Sequence, residues 1–181
     1  MFAQEMNHPW SMQISLRLGA HGWSDLDLWL EDKHLNFCIT HVFNSPLVDV
    51  ANAVLSLNRG AGEASFTIHE EPGQHVWTMS QIPEEQHLLL VGIQSYDYNF
   101  EISKAAFDVT EFRVARDFFI GSFVVEFGKI AFQLGNPRFA KDRASEDFPW
   151  EALRELQRGK PKRNEQGDAG RPTTRVESDD L

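Results

Sequence analysis

Residues 24–42 read SDLDLWLEDKHLNFCITHV, and apolar and polar residues alternate through them almost without a break. Successive side chains of a strand point to opposite faces, so this period predicts half-buried strands. Asp32-Lys33 is a natural two-residue loop, which makes the stretch a β-hairpin. With Glu31 facing His34, Leu30 meets Leu35, Leu28 meets Phe37, and Leu26 meets Ile39 on one face. A slip of one residue would bury Asp27 against Phe37, so the facing is well specified. The opposite face holds Asp25, Asp27, Trp29, Glu31, Asn36, Cys38 and Thr40.

Trp29 is therefore the largest apolar side chain of the hairpin, yet it lies among carboxylates. Two arrangements account for that. A helix covers this face and Trp29 packs beneath it, or the indole stands exposed within an acidic binding surface. Tryptophan is enriched at binding hot spots, and carboxylates around it select basic partners. A lysine or arginine arriving on the indole face would add a cation–π contact.

Outward from the hairpin, MQISLRL (12–18) alternates as a strand, with Ile14, Leu16 and Leu18 on one face. Gly19 to Gly22 form a turn, and residues 1–12 an arm without a period. After the hairpin, Ser45 and Pro46 suit the cap and first position of a helix, PLVDVANAVLSLN, which Gly60 ends. ASFTIHE, EPGQ and HVWTMSQI (64–82) predict a second hairpin, with Glu70 opposite His75, Ile68 opposite Trp77 and Phe66 opposite Met79. HLLLVGIQS (87–95) is apolar on both faces, which predicts a central strand covered on each side. Tyr98, Phe100 and Ile102 predict one more strand.

From Asp108 the period lengthens. Asp108 and Glu111 have the spacing of a capping box. Phe112, Ala115, Phe119, Phe123, Phe127, Ile130, Ala131 and Leu134 repeat at helical spacing, predicting a long helix; a strand pair around Gly121 is the rival arrangement. Residues 138–148 read as an irregular charged connection, and Phe148-Pro149-Trp150 opens a short closing helix. The expected fold is α+β: an antiparallel sheet of six or seven strands with one long and two short helices packed on it. Residues 13–158 form one domain, and 159–181 a polar, disordered tail.

The net charge of −10 is unevenly spread. The tail carries five basic and five acidic side chains, so the body holds the whole deficit. Nucleic-acid binding needs clustered Lys and Arg and is excluded as an expectation. A cationic partner is favoured and steered in at long range, although acidity also serves solubility alone. No run approaches the ~18 apolar residues of a membrane span. MFAQEMNHPW lacks the pattern of a secretion signal, and the one cysteine, Cys38, has no internal partner; both predict a cytoplasmic protein.

Catalytic patterns are thin. Seven histidines occur without the tight spacing of a zinc site, and His69 and His75 alternate faces in the second hairpin. Cys38 sits opposite Asp27, which raises its thiol pKa and weakens it as a nucleophile. GxSxG, GxGxxG and GxxxxGK[ST] are absent from the sequence. Asp25 and Asp27 point the same way about 7 Å apart by strand geometry, but nothing supplies the rest of an acid–base site. No catalytic residue, metal or cofactor is expected.

The layout of a Phe-rich helix, a loop and the closing FPWEALREL (148–156) resembles small bacterial α+β proteins encoded beside polymorphic or contact-dependent toxins, many of them immunity proteins. The resemblance spans residues 13–158 in layout and has no diagnostic motif to align, so it transfers no residue roles. It implies a non-catalytic acidic protein that binds a basic toxin and blocks it. The expected contact surface is Trp29 with Asp25, Asp27 and Glu31, on a monomer or homodimer. The alternatives are a small hydrolase or transferase using His and Asp or Glu in a cleft between sheet and helix, and a self-associating phage or secretion accessory protein. In the last, Phe118 and Val125 lie off the main helix stripe, and Phe118 is a candidate dimer contact.

Overall fold

The computed structural model describes residues 12–19, 23–97, 105–141 and 148–159. The arm before Met12, the turn at 20–22, the strand expected around residues 98–102 and the tail from 160 lie outside the described residues. Within them the chain runs β1 (Gln13–Leu18), β2 (Ser24–Trp29), β3 (His34–Ile39), α1 (Pro46–Asn58), β4 (Glu63–His69), β5 (Gln74–Ile82), β6 (Glu85–Tyr96), β7 (Asp108–Ala115), α2 (Arg116–Leu134), α3 (Pro137–Lys141) and α4 (Trp150–Gln157). The α+β class with antiparallel strands is as expected. The single sheet is not: the strands form two sheets, in the orders β1-β2-β3 and β4-β5-β6-β7.

Contacts of β3 explain the division. At its start, Lys33 reaches β7, donating to Thr110 Oγ1 at 2.7 Å and Asp108 Oδ2 at 3.1 Å. In its middle, Phe37 packs edge-on against Trp77 and His75 of β5. Past its end, Thr40 N donates to His69 O of β4 at 2.9 Å. β3 therefore crosses the second sheet from β7 to β4, and the two sheets bury their apolar faces against each other there.

Both hairpins are offset by two residues from the sequence-based pairing. Leu28 meets Leu35 and Leu26 meets Phe37; Ile68 meets His75 and Phe66 meets Trp77. Each turn holds four residues, closed by Leu30 N to Lys33 O (2.7 Å) and Glu70 N to Gly73 O (2.8 Å). A shift of two equals the period of a strand, so every side chain keeps its expected face. Leu26, Leu28, Phe37 and Ile39 are all buried.

A second correction concerns residues 108–115, which form β7 and not the start of the long helix. Thr110, Phe112 and Val114 are buried in alternation and pair with Ile93, Val91 and Leu89 of β6. Phe112 and Ala115 satisfy the helical period too, but pairing with β6 wins because an interior strand needs a second neighbour for its N–H and C=O groups. From Arg116 a single helix follows, and Phe119, Phe123, Phe127, Ile130 and Leu134 are its buried stripe. A third concerns β6. It is interior, but its outer face is open: Leu90 is 41% exposed and Gln94 is exposed. The connection after Asn136 opens with the short helix α3 instead of being irregular from its start.

Trp77, fully buried, is where the layers converge: Phe66 stacks on it at 5.2 Å, Phe37 meets its edge at 5.4 Å, and Phe123 of α2 lies against Phe66. α1 ends in a Schellman motif, with Ala61 N bonded to Ser56 O and Gly60 N to Leu57 O. Gly60 has φ of 101°, a left-handed conformation that glycine adopts without a Cβ clash. Arg116, at the corner between β7 and α2, is buried and donates to Leu57 O and, at 2.9 Å, to Ala61 O. Its charge meets the negative end of α1. α2 runs beside the free edge of β1, where Glu126 Oε2 accepts the Leu16 N–H at 2.6 Å. Among the described residues, no helix is long and apolar enough to cross a membrane.

Candidate functional site

The outer face of the three-stranded sheet is assembled from all three strands. Register places Arg17 beside Asp25, Asp25 beside Cys38, Asp27 beside Asn36, and Trp29 beside His34. Gln13, Arg17, His34, Asn36 and Cys38 are exposed, so this face is open to solvent, and among the described residues no helix covers Trp29. Of the four residues singled out in the sequence, Asp25, Asp27 and Trp29 share the face. Glu31 is exposed in the turn beyond the ladder.

Asp27 is the buried centre of the face, at 6% exposure. Its Oδ1 accepts from Asn36 Nδ2 at 2.9 Å and lies 3.0 Å from His34 Nε2; its Oδ2 accepts from Arg17 at 3.1 Å. Burial pushes the carboxyl pKa up. The hydrogen bonds from Asn36 and His34 and the positive charge of Arg17 outweigh that and hold it below the usual 3.8. An ionised Asp27 only accepts, so His34 Nε2 is the donor and Nδ1 is the nitrogen left over.

His34 in turn stacks on Trp29, with ring centroids 4.8 Å apart and planes 7° from parallel. The indole is half-buried. Asp27 therefore acts through His34: it fixes the imidazole, and the imidazole fixes the tryptophan. Its charge is spent on internal donors, which makes the face less acidic than the alternation of SDLDLW implies. Arg17 also lies 3.9 Å from Asp25.

Arg17, His34 and Asn36 were not singled out from sequence as members of this site. All three sit on the polar side of their strands' alternation, which was the available signal. The sequence-based pairing placed His34 opposite Glu31, so the offset of two hid its meeting with Trp29. Cys38 likewise lies opposite Asp25 and not Asp27. Burial first, then the charges of Asp25 and Glu70, push its thiol above the usual 9.0.

A second polar cluster lies at the seam between the sheets. His75 Nδ1 is 2.8 Å from Ser95 Oγ, and His75 Nε2 is 3.3 Å from Glu70 Oε2. Glu70 Oε1 accepts the Cys38 N–H at 2.6 Å, tying the turn between β4 and β5 to β3. Serine, histidine and carboxylate in contact are the components of an activated nucleophile. Here Ser95 is 6% exposed and His75 9%, so neither is presented to a substrate, and the chain of contacts serves as a clamp between the sheets. His69 faces away from it and packs beside Phe43.

Among the described residues, the open grooves include three. One of about 560 Å³ between α1 and β4 is lined by Asn44, Asp49, Asn52, Ser56 and Glu63 among others. A second of about 670 Å³ lies by Phe132 and Phe139, and a third of about 430 Å³ between β1 and α2. None of these three is lined by a histidine. Among the described residues no three His, Cys, Asp or Glu side chains converge as metal ligands. Comparison with protein-family models, curated proteins and solved structures finds no match to this chain.

Proposed function

We propose that the protein is a non-catalytic binding module that recognises a basic protein through the outer face of β1–β3, as an immunity protein neutralises a toxin. The observation that carries this reading is the Trp29–His34 stack, held in place by Asp27 on an open sheet face. An aromatic side chain already fixed before binding loses little conformational entropy on association, which is what a hot spot requires. Asp25 and Glu31 flank it with accessible carboxylates, and the net charge of −10 attracts a cationic partner. The partner's Lys or Arg would approach the indole between them. Asp27 supports the stack and is not itself a contact.

The test is calorimetric titration with the protein encoded by the adjacent gene, comparing wild type with Trp29→Ala and Asp25→Lys. Each variant is expected to weaken binding by about tenfold or more, the scale of an interface hot spot. The loss for Asp25→Lys should shrink in high salt, because its effect is electrostatic. Binding unaffected by both substitutions eliminates this face.

A further inference from the structure

One exposed stripe of α2 plays no part in the face above. Phe118, Val125 and Phe132 are spaced seven residues apart, which places them on one side of the helix about 10.5 Å apart along its axis. Phe118 is half-buried, while Val125 is 67% and Phe132 87% exposed. Phe118 packs against the edge of the core, while Val125 and Phe132 face outward, so the apolar surface of α2 continues past its buried stripe.

The stripe reads the same in both directions about Val125, with a phenylalanine on each side. Next to it lie a groove and a projection. The groove, about 430 Å³, runs between β1 and the first half of α2 and is lined by Met12, Ile14, Phe118, Gly121, Ser122 and Val125 among others. The projection is Phe132, in the second half. Around Gly121, nothing lies within 4 Å of where a side chain would begin, so another helix can approach closely there.

The charges of the two ends are also opposite. Asp117 lies at the start of α2, whereas Arg138 and Lys141 of α3 follow its end, and all three are exposed. Glu126 and Lys129, near the middle, pair with each other within the helix. Running two copies antiparallel sets Asp117 near the partner's Arg138 and Lys141, and the helix dipoles oppose favourably. A parallel arrangement would set like charges together.

We propose that a second copy of this chain covers the stripe. The two α2 helices cross antiparallel on a two-fold axis at Val125, and each Phe132 enters the partner's groove beside Phe118 and Gly121. Such an interface is isologous and closes at two copies. A contact one helix long lies at the small end of specific interfaces, so the dimer is expected to dissociate at micromolar concentrations. The proposal is independent of the partner-binding reading, which uses a different face.

Sedimentation velocity across the micromolar range tests it. The expected result is a concentration-dependent shift from a 20.7 kDa species to twice that mass. Val125→Glu, a change at an exposed position that should leave circular dichroism unaltered, is expected to abolish the shift by placing two carboxylates on the axis. Orientation is read by oxidation in a Cys38→Ser background. Val125→Cys should cross-link to its own copy, whereas Phe132→Cys should not, because the antiparallel pair separates those positions by about 21 Å. A monomer at every concentration, a dimer indifferent to Val125→Glu, or efficient Phe132→Cys cross-linking would each overturn the proposal.

Discussion

His34 Nε2 lies 3.0 Å from Asp27 Oδ1, and the same imidazole stacks on Trp29 at 4.8 Å. A buried carboxylate thus sets the position of an accessible tryptophan one ring removed from it. The acidic residue matters through what it holds.

This arrangement has a pH signature. The folded pKa of Asp27 is below the unfolded value near 3.8, so its contribution to stability is complete above that value. It is lost as pH falls through the folded pKa. Asp27→Asn should be less stable than wild type at neutral pH, by about 1–3 kcal/mol for disrupted buried hydrogen bonds. The gap should close progressively below pH ~3.8. Urea unfolding at a series of pH values measures it, and a gap independent of pH would contradict the assignment.

The Cys38 thiol should react slowly at neutral pH despite its exposure. Burial of its surroundings, Asp25 and Glu70 all disfavour the thiolate and raise its pKa above 9.0. The rate of alkylation by iodoacetamide should therefore keep rising beyond pH 9. Asp25→Asn should move the midpoint down, though not fully to the ordinary value, because burial is the larger cause. A wild-type midpoint at or under the ordinary value would refute this.

Arg116 should be among the most sensitive positions for stability. Its guanidinium is buried and serves Leu57 O and Ala61 O at the end of α1. Arg116→Leu retains bulk but strands Ala61 O and leaves Leu57 O with the Gly60 N–H alone, with an expected loss of about 1–3 kcal/mol. Thermal unfolding should show a drop in Tm of several degrees; a change within 1 °C would exclude the capping role.

Glu126 guards the free edge of β1. Glu126→Ala removes the acceptor of the Leu16 N–H and leaves an edge amide open to water. Amide exchange at Leu16 should accelerate by roughly tenfold or more, equivalent to ~1.4 kcal/mol, while Glu126→Gln should preserve most of the protection. Equal exchange in both variants would show that another group protects this edge.

Ser95→Ala should weaken the seam between the sheets. It removes the partner of His75 Nδ1 and leaves a buried nitrogen unsatisfied, with an expected cost of about 1–3 kcal/mol. Chemical unfolding measures it. A neutral substitution would mean that the clamp does not depend on this contact.

Much of the fold is legible in the sequence because period-two and helical alternation report which side of an element is buried. The inward set Leu26, Leu28, Phe37 and Ile39, the α1 boundaries at Pro46 and Gly60, and the Phe119–Phe123–Phe127 stripe all follow from spacing alone. Asp25, Asp27 and Trp29 could be placed together on one face for the same reason. Spacing does not measure turn length, so pairing was displaced by two in both hairpins. That left the faces intact and hid which residues meet across them.

What the sequence by itself determined is therefore facing. Alternation encodes it locally, and it survives any even shift of register. Tertiary structure alone decided the division into two sheets, the strand character of residues 108–115 and the joining of Trp29, His34 and Asp27. Each depends on contacts between residues distant in the chain: Lys33 on β7, Thr40 on His69, Phe112 on β6. Local propensity is worth a few tenths of a kcal/mol per residue, and satisfying the buried backbone and side-chain groups of neighbouring strands outweighs it.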